Sequence, residues 1–500
     1  MSAALSGVIP GLFVGAAERP ALVVPGGVTL TYAALEREVA RTAAALRGLG
    51  IGPEDRVAFA LPNSAEAVVA FAAATWAGVA APLNPAYRED EFRFYLEDTR
   101  ARALLVPPGA GEAARRALPE GSKVIEMAID QEGTARFSPE PPGGSVPAPP
   151  DPEHVALVLH TSGTTSRPKI VPLSHRHVAA STANVIATYA LGPEDLTVAL
   201  MPLFHIHGLV ASTLATLATG GTLVVPAGFN PLGFWPLAAE VRPTWWTASP
   251  APLKMILGRA TGGRPAGLDR LRFLRSCSSA LAPVLMEQLE ASLQAPVLEA
   301  YGMSEAAHQM ASNPLPPAVR VPGSVGKGTG VEIAILDAAA GVAPAGSQGE
   351  VAIRGPNVFS GYEANPEANA TAFAGDWFRT GDRGYLDGDG YLTLVGRIKE
   401  LINRGGEKIA PPEIDAVLET HPQVLEAVSF GIPHPTWGEE VAVAVVLEQP
   451  VSERELQAWM RERLADFKIP RTIHVVESIP RTPTGKIQRR HVAEAVIRGR

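Results

Sequence analysis

The stretch "HTSGTTSRPK" sets Thr161, Ser162, Thr164 and Thr165 around Gly163 and follows them with Lys169. Hydroxyls and backbone amides beside a glycine form a donor-rich loop, and a lysine adds charge, so these residues suit an anion such as phosphate. The stretch is not a P-loop, in which lysine directly follows glycine; here Arg167 and Pro168 precede Lys169. Three more segments hold chemically capable residues: "EAYGMSEA" from Glu299 to Ala306, "RTGDRGYLDGDGYLTLVGRIKELINRGGEKI" from Arg379 to Ile409, and "PRTPTGKIQRR" from Pro480 to Arg490. "PLFHIHGL" puts His205 and His207 on one face if it is extended, and His308 follows Glu305 by one helical turn. These imidazoles can carry positive charge, but nothing nearby completes a zinc ligand set.

Such residues need a scaffold, and its elements are legible in the pattern. "RVAFALP", "HVALVLH", "GTLVVPA" and "VEIAILD" are short apolar runs bounded by turn residues, as buried strands are. Between them lie Ala- and Leu-rich stretches with helical spacing, such as "AEAVVAFAAATWAG". This alternation predicts a layered α/β architecture. "PPGGSVPAPPDPEH" reads as a surface connector, and no fixed-period repeat is present. Past the glycine-rich Arg379 to Ile409 segment, the chain reads as helix, strand and helix, a small C-terminal unit whose boundary falls near Arg397 to Lys399.

Whole-chain properties narrow the function classes. At 500 residues the chain exceeds what one hydrophobic core supports, so two or more domains are expected. A formal net charge of -8 argues against a nucleic-acid binder working through a broad basic surface. Cys277 is the single cysteine, which excludes an intrachain disulfide and fits a reducing, cytoplasmic setting. The N-terminal segment lacks a basic region and is interrupted by Pro10, which predicts neither signal peptide nor membrane anchor.

Taken in order, the four motifs resemble the adenylate-forming superfamily of acyl-CoA synthetases, luciferases and peptide-synthetase adenylation domains. The resemblance spans nearly the whole chain. It implies an adenylate-forming fold: a large layered α/β domain (residues 1–397) and a small mobile α+β domain (residues 398–500), with the active site between them. The implied chemistry has two steps. A carboxylic acid and ATP give acyl-adenylate and pyrophosphate; CoA then displaces AMP to form the thioester. Two like charges at 4 Å repel by about 4 kcal/mol at an effective dielectric of 20, so cations and aligned donors must bring carboxylate and phosphate together.

By the same resemblance, Thr161 to Lys169 holds the β- and γ-phosphates, Glu299 and Ala300 belong to the ATP/AMP-binding residues, and Tyr301 stacks on the adenine. Ser304 meets the α-phosphate, Glu305 helps bind magnesium, and Asp382 and Arg397 contact the ribose. Lys486 bridges the reacting carboxylate and the α-phosphate. Lys399 is the hinge, and Gly405 and Gly406 line the thiol's approach. Ser166 and Ile170 replace common glycines and Ser304 a common threonine; none of these changes removes a needed hydroxyl or cation.

Where relatives carry small apolar residues beside the acyl group, this chain reads "SCSSALAP" from Ser276 to Pro283. A long aliphatic tail gains nothing from hydroxyls and imidazoles, because each buried polar atom left unpaired costs about 1–3 kcal/mol. Several segments, "RSCSSALAP" and "LINRGGEKI" among them, most resemble the oxalate-activating synthetases, whose diacid-associated positions fall on His207, Ser278 and His308. Oxalate is the expected acid, with malonate, acetate or a short or medium-chain fatty acid as the alternative. Other readings place Trp245 and Trp246 in the core and make Ser278 and Ser279 caps of a following helix. A nucleotide-binding regulator without turnover is the rival of a different class, and Lys486 weighs against it. Oligomeric state, pathway and a carrier-protein acceptor in place of CoA are not encoded legibly.

Overall fold

The computed structural model describes residues 7–161, 168–260, 263–481 and 487–498. Ser162, Gly163, Thr164, Thr165 and Lys486 lie outside them. The apolar runs form strands, as expected: Arg56–Phe59, Val155–Thr161, Thr222–Val224 and Glu332–Leu336. The Ala-rich segment forms the helix Ala65–Ala77, started by the Ser64 side chain accepting from the Ala67 amide at 3.3 Å. Almost every residue of this helix is buried, which is why it is apolar all round rather than along one stripe.

Two large sheets build the N-terminal part. A nine-stranded sheet has a parallel centre in which Thr222–Val224, Leu196–Val198, Trp245–Ala248, Phe273–Ser276 and Val297–Met303 lie in that order. A seven-stranded sheet ends in the antiparallel pair Val155–Thr161 and Lys169–Ser174. One apolar cluster draws on both sheets, with Leu22 and Leu223 from the first and Val57 and Ala80 from the second. A five-stranded sheet, which includes Gly349–Arg354, Trp377–Leu386 and Leu392–Arg397, closes this part.

The C-terminal part has its own five-stranded sheet, dominated by the antiparallel pair Val424–His434 and Gly438–Leu447, and its own apolar cluster around Ile402, Ile414, Val443 and Met460. Helices Pro411–Glu419 and Glu453–Arg461 flank it. The fold is therefore a large layered α/β domain followed by a smaller α+β domain. Among the described residues no helix is long and apolar enough to cross a membrane.

Several local expectations are corrected. "PLFHIHGL" is not extended: His207 opens a π-helical turn, His207–Leu214, and its amide donates to His205 Nδ1 at 3.2 Å. His308 does not continue a helix from Glu305; a 3-10 turn, Ser304–Ala306, ends and His308 begins the strand His308–Ser312. Ser278 and Ser279 do not cap the next helix, which starts at Pro283 without a side-chain cap. Trp245 and Trp246, by contrast, are as expected: fully buried in the strand Trp245–Ala248, they pack in the core.

Candidate active site

Ligand sites in open parallel sheets form at the carboxyl ends of the strands, where side chains from neighbouring strands converge. At that edge Thr247, Arg275 and Ser278 lie on or just beyond adjacent strands, His207 enters from the π-helical turn, and His308 from the neighbouring antiparallel strand. The structure thus unites the three expected acid-binding residues. His207 Nδ1 lies 2.9 Å from Ser278 Oγ, and the His207 and His308 rings stack with centroids 4.9 Å apart.

Behind them lies Arg275, which the motifs did not single out and which is fully buried. Its Nε donates to the Tyr189 hydroxyl at 2.8 Å. Its Nη1 donates to Thr247 Oγ1 at 3.0 Å and His207 Nε2 at 3.2 Å, and its Nη2 to His308 Nε2 at 2.9 Å and Gln309 Oε1 at 3.1 Å. Burial, then the Arg275 charge, pushes both imidazoles well below the ordinary histidine range. Both shifts favour the neutral imidazole over the positive charge that the sequence allowed for. The positive charge of this cluster belongs to Arg275.

The backbone is bent to achieve this. Ser278, Ala307 and His308 have φ of 78°, 47° and 109°, a region that side chains other than glycine's enter at a cost. Gly302 permits the His308 placement, since a Cβ there would sit 2.0 Å from the His308 carbonyl oxygen.

A second cluster forms around the expected nucleotide residues. Thr161 and Lys169 are register partners on adjacent antiparallel strands. Lys169 Nζ lies 4.4 Å above the Tyr362 ring, and the Tyr362 hydroxyl donates to Glu305 Oε1 at 2.8 Å. Burial, then the nearby Lys399 ammonium, lowers the Lys169 pKa, with Glu305 acting in opposition. Lys169, Lys399 and Glu305 therefore converge although they are far apart in sequence. Tyr362, which joins two of them, sits in a segment without any motif signal.

Tyr301 and Asp382 are also joined, the Tyr301 hydroxyl donating to Asp382 Oδ2. Asp382 and Arg397 are register partners on adjacent strands, and Arg397 Nε lies 3.3 Å from Asp382 Oδ1. Ser304, at the 3-10 turn, separates Tyr301 from Glu305. Upstream, the Ala300 backbone pairs with Ser312, and Glu299 Oε1 accepts from the Leu281 amide at 3.0 Å. Burial pushes the Glu299 carboxyl up to about 7.

Lys399 lies in the 3-10 turn Ile398–Glu400, directly after Arg397. Gly405 and Gly406 connect the strands Ile402–Arg404 and Glu407–Ile409 as a two-residue turn with φ of 60° and 97°, a geometry that calls for glycine at both places. Lys486 lies outside the described residues; its neighbour Ile487 bridges to Arg481. Nearby Arg489 pairs with Asp415 at 2.6 Å, tying the last helix to Pro411–Glu419.

Among the described residues no group of three or more His, Cys, Asp or Glu is arranged to hold a metal ion. A lone carboxylate such as Glu305 fits a magnesium that arrives with a nucleotide, because Mg2+ is commonly held by one or two carboxylates plus substrate phosphates.

Residues 14–363 match the AMP-binding enzyme family and residues 413–486 match the AMP-binding enzyme C-terminal domain. The chain is 47% identical to a probable CoA ligase, CCL9, of Humulus lupulus over 95% of this chain and 93% of that one. It is 44% identical to an oxalate–CoA ligase of Arabidopsis thaliana over 98% of both. ATP-bound MatB from Rhodopseudomonas palustris superposes with a TM-score of 0.89 at 29% identity, covering 98% of each chain. The chain thus belongs to the AMP-binding enzyme family as an AMP-forming acid–thiol ligase, which uses ATP and Mg2+ to convert a small carboxylic acid to its adenylate and CoA to draw off the thioester.

Proposed function

We propose that the acid is oxalate and the product oxalyl-CoA. The observation that carries this reading is the His207, Ser278 and His308 cluster backed by the buried Arg275. A second carboxylate beside the reacting one meets hydroxyl and imidazole donors there, with a fixed positive charge behind them. An alkyl chain would leave those donors unpaired, at about 1–3 kcal/mol each. Similarity to the Arabidopsis oxalate–CoA ligase supports the same acid.

In this reading Lys169 and the hydroxyl loop from Thr161 to Thr165 hold the β- and γ-phosphates. Glu299 and Ala300 help bind the nucleotide, Tyr301 stacks on the adenine, and Asp382 and Arg397 hold the ribose. Ser304 donates to the α-phosphate, and Glu305, oriented by Tyr362, holds magnesium. Magnesium held there would supply positive charge that offsets the phosphates' own. Lys486 draws the acid's carboxylate and the α-phosphate together against their mutual repulsion. The boundary falls between residues 397 and 398, and rotation at Lys399 replaces Lys486 with the Gly405–Gly406 turn as the path for CoA. Incubation with ATP, CoA and equimolar oxalate, malonate, acetate and hexanoate tests the acid, with thioesters identified by mass. Oxalyl-CoA is the expected main product; hexanoyl-CoA as the main product rules the assignment out.

A further inference from the structure

Arg275 stands on the strand Phe273–Ser276, otherwise a run of core residues, and is fully buried. Arginine is almost never buried without a partner of opposite charge. Among the described residues no carboxylate pairs with it; the acidic groups beside it are the weak acids Tyr189 and Cys277. Its five N–H donors are all engaged, by the Tyr189 and Thr247 oxygens, by Gln309 Oε1, and by the two imidazole Nε2 atoms. It has no donor left for a substrate. What it can do is determine what the histidines present.

A nitrogen that accepts from a guanidinium carries no proton. Nε2 of His308 therefore bears the lone pair, and its proton sits on Nδ1, which has no hydrogen-bond partner among the described residues. The same holds for His207. Its Nε2 faces Arg275 Nη1 and, at 2.6 Å, the Thr247 hydroxyl; Thr247 Oγ1 itself accepts from Arg275 and so has its proton free for that nitrogen. The His207 proton is then on Nδ1, directed at Ser278 Oγ at 2.9 Å. Once Ser278 accepts that bond, its own O–H is free to donate, and Ser278 is half-buried rather than fully enclosed.

We propose that Arg275 is the positioning residue of the acid subsite: it fixes both imidazoles with their protons on Nδ1, so that the pocket offers only donors over a permanent positive charge. This rests on the oxalate reading for the identity of the acid, but not for the proton positions. The ligand class that completes such a site is a small dianion whose second acidic group accepts from Ser278 Oγ–H and His308 Nδ1–H. Arg275 acts through these groups and does not touch the acid. Discrimination against a monocarboxylate of similar size then arises from leaving these donors and the charge behind them unanswered.

The test has two arms. In the wild-type enzyme without substrate, ring-15N histidine is read by long-range 1H–15N correlation at neutral pH, with His207→Gln and His308→Gln variants assigning the signals. Protons on Nδ1 of both rings are expected; a proton on Nε2 of either ring overturns the proposal whatever the acid is. In the second arm Arg275→Met and Arg275→Lys are compared by acid-dependent ATP–pyrophosphate exchange. For Arg275→Met the kcat/KM for oxalate should fall about 10- to 100-fold further than that for acetate, chiefly through KM, with partial recovery in Arg275→Lys. Equal losses for the two acids in a variant that melts like wild type overturn it. If Arg275→Met fails to fold, the nitrogen spectrum alone decides. A wild type that ignores oxalate sinks the substrate assignment while leaving the proton positions to the first arm.

Discussion

His207 and His308 reach each other from well-separated segments of the large domain and stack with ring centroids 4.9 Å apart and planes 21° from parallel. Two imidazolium ions at that separation would repel by about 3 kcal/mol at an effective dielectric of 20. The stack therefore agrees with the burial and the Arg275 contacts in making the pair neutral. On the proposed reading, this pocket would attract a dianion through one buried guanidinium and recognise it through uncharged donors.

Lys486→Ala separates the half-reactions. Losing the cation proposed to join carboxylate and α-phosphate should lower acid-dependent ATP–pyrophosphate exchange by about 100-fold or more. Thioester formation from supplied oxalyl-adenylate and CoA should continue near the wild-type rate. Rapid-quench assays of each half-reaction measure this, and parallel loss of both would contradict the assigned role.

Tyr362→Phe tests how Glu305 is held. The phenol donates to the carboxylate at 2.8 Å, while the ring beneath Lys169 is retained in phenylalanine. Partners that orient a metal ligand are commonly worth about 10-fold in metal affinity. The half-saturating magnesium concentration in the exchange assay should rise by about that factor with little change in melting temperature. An unchanged magnesium profile would remove Tyr362 from the site.

Glu299 makes stability depend on pH. Burial raises its carboxyl from 4.5 to about 7, and its Oε2 has no partner among the described residues. Between these values the native state keeps a proton that the unfolded state has released. Stability therefore declines as pH rises from about 4.5 to 7 and levels off above, by on the order of 3 kcal/mol. Glu299→Gln should melt above wild type at pH 8, and this advantage should shrink at pH 5. A gap between the two melting temperatures that does not change with pH would show that Glu299 is ionised throughout.

The layered architecture was legible because it rests on local sequence, and the expected nucleotide residues stand out for the same reason. Strands such as Arg56–Phe59 and Val155–Thr161 are continuous apolar runs, and Asp382, Arg397 and Lys169 sit in compact motifs. Ser278 and the two histidines were legible as residue types but not as a geometry. The expectation of an extended His205–His207 face failed because a π-helical turn, which has no periodic signature in so short a segment, re-aims His207. Arg275 went unrecognised for a different reason. An arginine beside a turn reads as exposed, and only the strand pairing on both sides of Phe273–Ser276 encloses it. The one available clue was a cation inside an apolar run, "RFLRSC". Tyr362 offered none, because its partners Glu305 and Lys169 meet it only through tertiary structure.

The most direct measurement is kcat/KM for CoA-dependent AMP release with oxalate, acetate and hexanoate under identical conditions. Two charge-assisted hydrogen bonds to a second carboxylate are worth about 3 kcal/mol, so oxalate should exceed both monocarboxylates by about 100-fold. Hexanoate or acetate matching or outrunning oxalate would contradict a pocket built around Arg275 for a small dianion.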